Sequence, residues 1–279
     1  MSSMATTRPG RRFDTGPGRP TRSDEARHGP ALHLRNVRDL GGLPTARGGL
    51  TRHGVALRSD DIAQLPPAFA WALHERQGIR DIIDLRSHTE LARVGRGTTY
   101  ELPVRYHHLP TELLPRRRAD DGLPLLPATA AQLGVWYADA AERCALPLRF
   151  ALEVVADADG PVLFHGVAGR DRTGLLAALL LSAAGVARHA IVADYARTAT
   201  SLPRPRSAVP GPDAGGAGAT GVTVTTTLPD DLLDAAPETM ERCLEVLESR
   251  HGCVLTPLRG VGLTARKEAR LRRRLVDGR

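Results

Sequence analysis

Lysine is almost missing from this 279-residue chain: Lys267 is the only one among 38 basic side chains. Aromatic residues are also scarce, at 4%, which leaves few rings for bases to stack on and speaks against a single-stranded nucleic acid as ligand. The three cysteines, Cys144, Cys243 and Cys253, are odd in number and far apart. They exclude a disulfide framework and match no metal-ligand spacing, so no metal is expected. No apolar run approaches the roughly 20 residues that span a bilayer; the longest, Leu175 to Val186, includes Ser182 and Gly185. The opening MSSMATTRPGRR has charge but no apolar stretch behind it. It does not read as a secretory signal, and a cytoplasmic location is the expectation.

What remains is the composition of a globular protein, 42% hydrophobic and 25% charged, long enough for one large domain. The net charge of +7 sits at the ends. Residues 1–30 hold six Arg against three acids and residues 266–279 seven Arg/Lys against two, which leaves residues 31–265 at −1. Two basic tails on a neutral body, in an Ala-rich chain that uses Arg throughout, point to biased nucleotide composition rather than to a specific nucleic-acid partner.

Residues 1–30, rich in Arg, Gly, Pro and Ser/Thr, read as a disordered leader. Residues 31–279 read as one domain, interrupted at about 201–229 by an insertion with five Pro and five Gly. Strands are expected at Gly49–Arg58, Ile79–Leu85, Val104–Leu109 and Pro161–His165. Helical spacing marks Pro67–Gln77, two helices within Ala130–Ala156 that break near Pro147, then Leu175–Ala184, His189–Arg197, Asp230–Arg250 and Thr264–Leu275. The alternation predicts an α/β fold, a sheet flanked by helices.

The segment Val162–Gly174, VLFHGVAGRDRTG, carries the chemistry. A short apolar strand runs into a Gly-containing loop that opens onto a helix. Amides and dipole at such a helix start form an anion site. Gly166 and Gly169 allow close backbone approach, and Arg170 and Arg172 supply forked donors suited to phosphate oxygens. An ordinary strand–helix turn with incidental arginines is the plainer alternative. Two Gly, two Arg and one Asp between 166 and 172 weigh against it.

This segment resembles the signature HCxxGKDRTG of the bacterial atypical protein tyrosine phosphatases, a family similar to dual-specificity and phosphoinositide phosphatases. Asn36–Thr45 (NVRDLGGLPT), Leu57–Asp60 (LRSD), Gly78–Ser87 (GIRDIIDLRS), Ile191–Tyr195 (IVADY), Ala236–Met240 (APETM) and Arg259–Leu263 (RGVGL) resemble further family segments in the same order. The resemblance covers about residues 31–276. It implies a phosphatase-like α/β fold with a phosphate-binding loop formed by Gly166, Val167, Ala168, Gly169, Arg170, Asp171, Arg172 and Thr173.

One departure dominates. The residue after the loop His is the family's nucleophilic Cys, and here it is Gly166. A phosphocysteine intermediate needs a thiolate at that place. The resemblance implies that Arg172 clamps the phosphate, that Asp171 is the in-loop general acid, that Thr173 bonds the thiolate and that His165 orients the loop. Arg170 stands where the family has Lys. Plainer roles are open beside these: His165 as a core histidine, Asp171 as the ion-pair partner of a neighbouring Arg, Thr173 as a helix cap. Arg38 and Asp39 are expected to hold the hairpin to the core, and Asp84, Arg86 and Ser87 to support the loop. Arg116–Arg118 are expected in a solvated loop and Arg272–Arg274 on the exposed face of the last helix. The ancestral reaction implied is phosphomonoester hydrolysis on a phosphorylated protein, phosphoinositide or phosphorylated metabolite, without a cofactor. The present chain reads as a pseudophosphatase. The alternative is a weak phosphatase in which water attacks with Asp171 or His165 as base.

Overall fold

The computed structural model describes residues 34–113, 127–201 and 234–277. The expected leader, the insertion beyond Ser201 and Arg116–Arg118 lie outside the described residues. Five strands, β1 (Arg38–Asp39), β2 (Ala56–Ser59), β3 (Asp81–Asp84), β4 (Arg105–His108) and β5 (Val162–His165), form one sheet in the order β1-β2-β5-β3-β4. Only β1 runs antiparallel to its neighbour; the other pairs are parallel. The helices in chain order are α1 (Pro67–Gln77), α2 (His88–Val94), α3 (Ala130–Arg143), α4 (Ala145–Asp157), α5 (Asp171–Ala184), α6 (Arg188–Ala196), α7 (Thr198–Ser201), α8 (Pro237–His251), α9 (Thr256–Gly260) and α10 (Ala265–Leu275). The expected α/β architecture is present.

Strand β5 is hydrogen-bonded on both edges, to β2 and β3, and all four of its residues are buried. Burial on both faces explains why it reads as an unbroken apolar run rather than an alternating one. The pleat divides the sheet's side chains between two cores. Leu57, Ile82 and Leu163 join Ala70 of α1 in a small core on one face. Ala56, Ile83, Val162 and Phe164 join the main core on the other face, with residues of α3 to α6, α8 and α10. Helix α5 is buried except at Asp171, Arg172 and Ser182, so it lies inside the helical layer. Its start is therefore fixed against the sheet.

Several boundaries differ from expectation. The strand expected at 49–58 forms only over Ala56–Ser59, because Gly54 at φ 72° turns the chain just ahead of it. The two helices within 130–156 separate at Cys144, not Pro147. Pro147 lies in the first turn of α4, where its missing N–H has no partner to lose. Helix α5 begins four residues before Leu175, closed by the Gly174 amide on the Arg170 carbonyl, 2.8 Å. Its polar first turn hides the helical period. Helix α8 starts at Pro237, with proline in its first turn. Of the arginines assigned to the exposed face of α10, Arg272 and Arg273 are exposed, whereas Arg274 is half-buried and donates to the Gly160 carbonyl.

Candidate active site

The carboxyl ends of β5 and β3 and the start of α5 meet at the loop 166–170. Its carbonyl groups are claimed from the β2 side. Asn36 Nδ2 donates to Ala168 O and Gly169 O at 3.2 and 2.9 Å, Arg58 Nη2 to Gly169 O at 2.8 Å, and the Asp61 amide to Val167 O at 2.9 Å. The amides of Val167, Ala168 and Gly169 donate to no partner among the described residues. With the carbonyls bonded elsewhere, these N–H groups and the first turn of α5 are left as unpaired donors, the kind from which anion sites are built. Gly169 is required there. Its φ is 67°, and a Cβ on it would lie 2.6 Å from the Ser59 carbonyl oxygen.

Beneath the loop, Arg58 and Arg38 share Asp194: Arg58 Nη1 donates to Oδ2 at 2.7 Å and Arg38 Nε to Oδ1 at 2.8 Å. All three are buried. Burial opposes the Arg58 charge and lowers its pKa to about 10 against the attraction of Asp194. Arg38 also bonds Asn36, the residue that holds the loop carbonyls. Arg38 thus ties β1 to the core, as expected. Asp39 accepts from the Gly41 and Gly54 amides, at 2.9 and 2.7 Å, and fixes the hairpin.

Arg172, on the first turn of α5, is held by Glu90 of α2: Nη2 donates to Oε1 at 2.9 Å and Nη1 to Oε2. Burial alone would raise the Glu90 pKa, but hydrogen bonds from Arg172 and the Ser87 amide pull it down to about 2. Ser87 and Glu90 form a capping box at the start of α2. Glu90 is absent from the sequence-derived candidates, although Ser87-x-x-Glu90 is a visible capping pattern. Asp84 and Arg86 are paired and buried. Burial pushes Asp84 up, but Arg86, His165 and Tyr106 outweigh it and hold the carboxyl at about 2. Asp84 lies 3.9 Å from His165, and Arg86 bonds Asp61, whose amide holds the Val167 carbonyl. Ser87 acts through Glu90, so the three reach the loop indirectly from the β3 side.

His165 is buried at the end of β5, with Nδ1 3.2 Å from Gly166 O, and Asp61 and Asp84 3.8 and 3.9 Å away. Burial lowers its pKa despite these carboxylates. Asp171 accepts from Arg170 at 2.8 and 3.1 Å and from the Tyr137 hydroxyl, which lies 3.0 Å from the Tyr195 hydroxyl. Burial and the nearby Asp171 both push Tyr137 upward, so it stays a donor. The Arg170 guanidinium is buried against Asp171. Val167 lies on the exposed rim and Gly166 is buried on the floor. Thr173 is 1% exposed, and its Oγ1 has no hydrogen-bond partner among the described residues. Cys144 joins α3 to α4, Cys243 is buried within α8 and Cys253 follows α8. None lies in the loop. Among the described residues, no three His, Cys, Asp or Glu side chains gather as a metal site, and no helix is long and apolar enough to cross a membrane.

A strand, a loop whose Val167, Ala168 and Gly169 amides have no partner among the described residues, and a helix start carrying Arg172 mark an α/β protein with a candidate anion site. Residues 30–277 match the tyrosine phosphatase family, and the chain belongs to it. It is 33% identical over 199 residues to the triple specificity protein phosphatase PtpB of Mycobacterium tuberculosis, covering 62% of this chain and 70% of that protein. It is 53% identical over 49 residues to a tyrosine-protein phosphatase of Nostoc commune, covering 18% of this chain and 17% of the relative. Among solved structures, P. aeruginosa TpbA matches 51% of this chain and 68% of its own, at 22% identity and a TM-score of 0.28.

Proposed function

We propose that the protein binds phosphate monoesters in the loop 166–172 without turning them over through a phosphoenzyme. Family membership supports phosphoesters as the ligand class, and phosphorylated proteins, phosphoinositides or phosphorylated metabolites are the candidates that the sequence resemblance implies. One observation carries the reading: the donors that hold a phosphate are assembled around Arg172, while the floor of the loop is Gly166. A cysteine thiolate there would repel the incoming phosphate. Two unit charges 3.5 Å apart at an effective dielectric near 20 repel by about 5 kcal/mol. Gly166 removes that repulsion together with the nucleophile, so ground-state binding is favoured and two-step hydrolysis is lost.

Direct attack by water with Asp171 or His165 as base is the weaker reading. Asp171 accepts hydrogen bonds from both Arg170 and Tyr137, and the His165 ring faces the Gly166 carbonyl. The test compares the natural protein, Gly166→Cys and Arg172→Met. Calorimetry with inorganic phosphate should show binding by the natural chain that Arg172→Met abolishes. An aryl phosphate should be hydrolysed by Gly166→Cys and not by the natural chain. Turnover by the natural chain at the variant's rate would overturn the proposal.

A further inference from the structure

Strand β4 forms one edge of the sheet. The Arg105 amide donates to the Arg80 carbonyl and the Leu109 amide to the Asp84 carbonyl, both at 2.9 Å. Arg105, His107 and Leu109 therefore turn their main chain towards β3, and Tyr106 and His108 turn theirs outward. The outward N–H and C=O groups of Tyr106 and His108 have no backbone partner among the described residues. Such an edge is a template for another strand unless charged side chains block it. Arg105 does not block it, because its guanidinium is folded onto its own molecule. Nε donates to Asp81 at 2.8 Å and Nη2 to Asp159 at 2.6 Å.

Helix α4 exposes apolar side chains beside this edge. Leu146 and Phe150 are 50% and 42% exposed, and the half-buried Val154 continues the ridge at the same four-residue spacing. Phe150, Val154 and Ala158 share a cavity of about 330 Å³ with Asp81, Arg105 and His107. A charged ridge, Arg149, Glu153 and Asp157, runs along the apolar one, with its cation at one end and its carboxylates towards the other. Asp81 and Arg105 open their strands, so this face lies at the opposite end of the sheet from the loop 166–170.

We infer that this face pairs two copies of the chain about a two-fold axis, β4 antiparallel to β4 and α4 beside α4. The inference does not rest on phosphate binding. Two features select a second copy over another partner. The outward main chain of β4 is self-complementary: Tyr106 of each copy meets His108 of the other, and the two His107 residues face each other at the axis. Antiparallel α4 helices also set the Arg149 end of each charged ridge against the carboxylate end of the other, and cover the exposed apolar ridges.

The experiment is sedimentation equilibrium of the full-length natural protein over a dilution series. The natural chain should form a dimer. Phe150→Glu should weaken it at least about tenfold, because a carboxylate is then buried without a partner. Its circular dichroism should be unchanged, since Phe150 is exposed in the single copy. Cysteine cross-linking reads the register, with the natural chain and its three cysteines as background. His107→Cys should form a disulfide-linked dimer under mild oxidation. Arg105→Cys should not, because the two copies of that position lie about 13 Å apart along the strands. A natural chain that stays monomeric throughout would overturn the inference. So would a dimer that Phe150→Glu leaves unchanged, or one that Arg105→Cys cross-links as fast as His107→Cys.

Discussion

Arg172, in the first turn of α5, and Glu90, in the first turn of α2, form an ion pair that holds the guanidinium beside the loop. The Glu90 carboxyl titrates near 4.5 when unhindered and at about 2 in the fold. A lowered folded pKa means the unfolded chain binds the proton more readily. The pair therefore stabilises the fold above about pH 4.5, fades as pH falls from there towards 2, and contributes nothing below. Glu90→Gln should lower stability by about 1–2 kcal/mol at neutral pH, allowing for the water that reaches this pair. The difference between variant and natural protein should vanish on acidification, as read by thermal melts across the pH range. Melts that coincide at neutral pH would show the pair to be energetically silent.

Helix α5 shows the same logic along one element. Its first turn carries Asp171 and Arg172 and its last ends on Gly185 in the left-handed conformation, φ 79°, with open space around its Cβ position. Gly169, before the helix, is equally left-handed but pressed on the Ser59–Asp60 backbone. Gly185→Ala should therefore cost only the backbone term, about 1 kcal/mol, and leave phosphate affinity unchanged. Gly169→Ala should cost about 2 kcal/mol or more and weaken phosphate binding, because the loop must lift off β2. Melting and calorimetry on both variants check this; equal losses in the two would refute the packing argument. The contrast also explains what could be read from sequence. The apolar runs of β3 and β5 and the Leu-rich turns of α5 stand out because burial imposes their patterns. Helix α2, seven residues without one buried, leaves no apolar stripe by which its Glu90 could stand out. The helices part at Cys144 rather than near Pro147 because proline marks a helix start as readily as an end.

Across the whole molecule, the site rests on contacts between residues far apart in the chain. Asn36, Arg38, Arg58, Gly169, Asp194 and Thr198 form one buried hydrogen-bonded group. It joins β1 and β2 to the loop and to α6 and α7. No local periodicity encodes such a group; its members read from sequence as scattered residues, Asn36, Arg38, Arg58 and Asp194 within short family-like segments and Gly169 in the loop. Among the described residues, Asp194 is the only acid bonded to these two buried arginines. Replacing it with Asn leaves two guanidinium groups out of water without a counter-charge. Breaking a buried pair in this way costs about 3–5 kcal/mol, and urea unfolding of Asp194→Asn should show a loss of that size. The effect should reach the site as well. Arg58 holds the Gly169 carbonyl, so a displaced Arg58 frees the loop to turn and its amides to diverge. If the loop binds phosphate as proposed, saturating phosphate should raise the natural protein's stability by mass action, about 2.7 kcal/mol at a hundred times Kd. The same phosphate concentration should raise Asp194→Asn by distinctly less. A full phosphate increment on a strongly destabilised variant would mean that this group holds the fold together without shaping the loop.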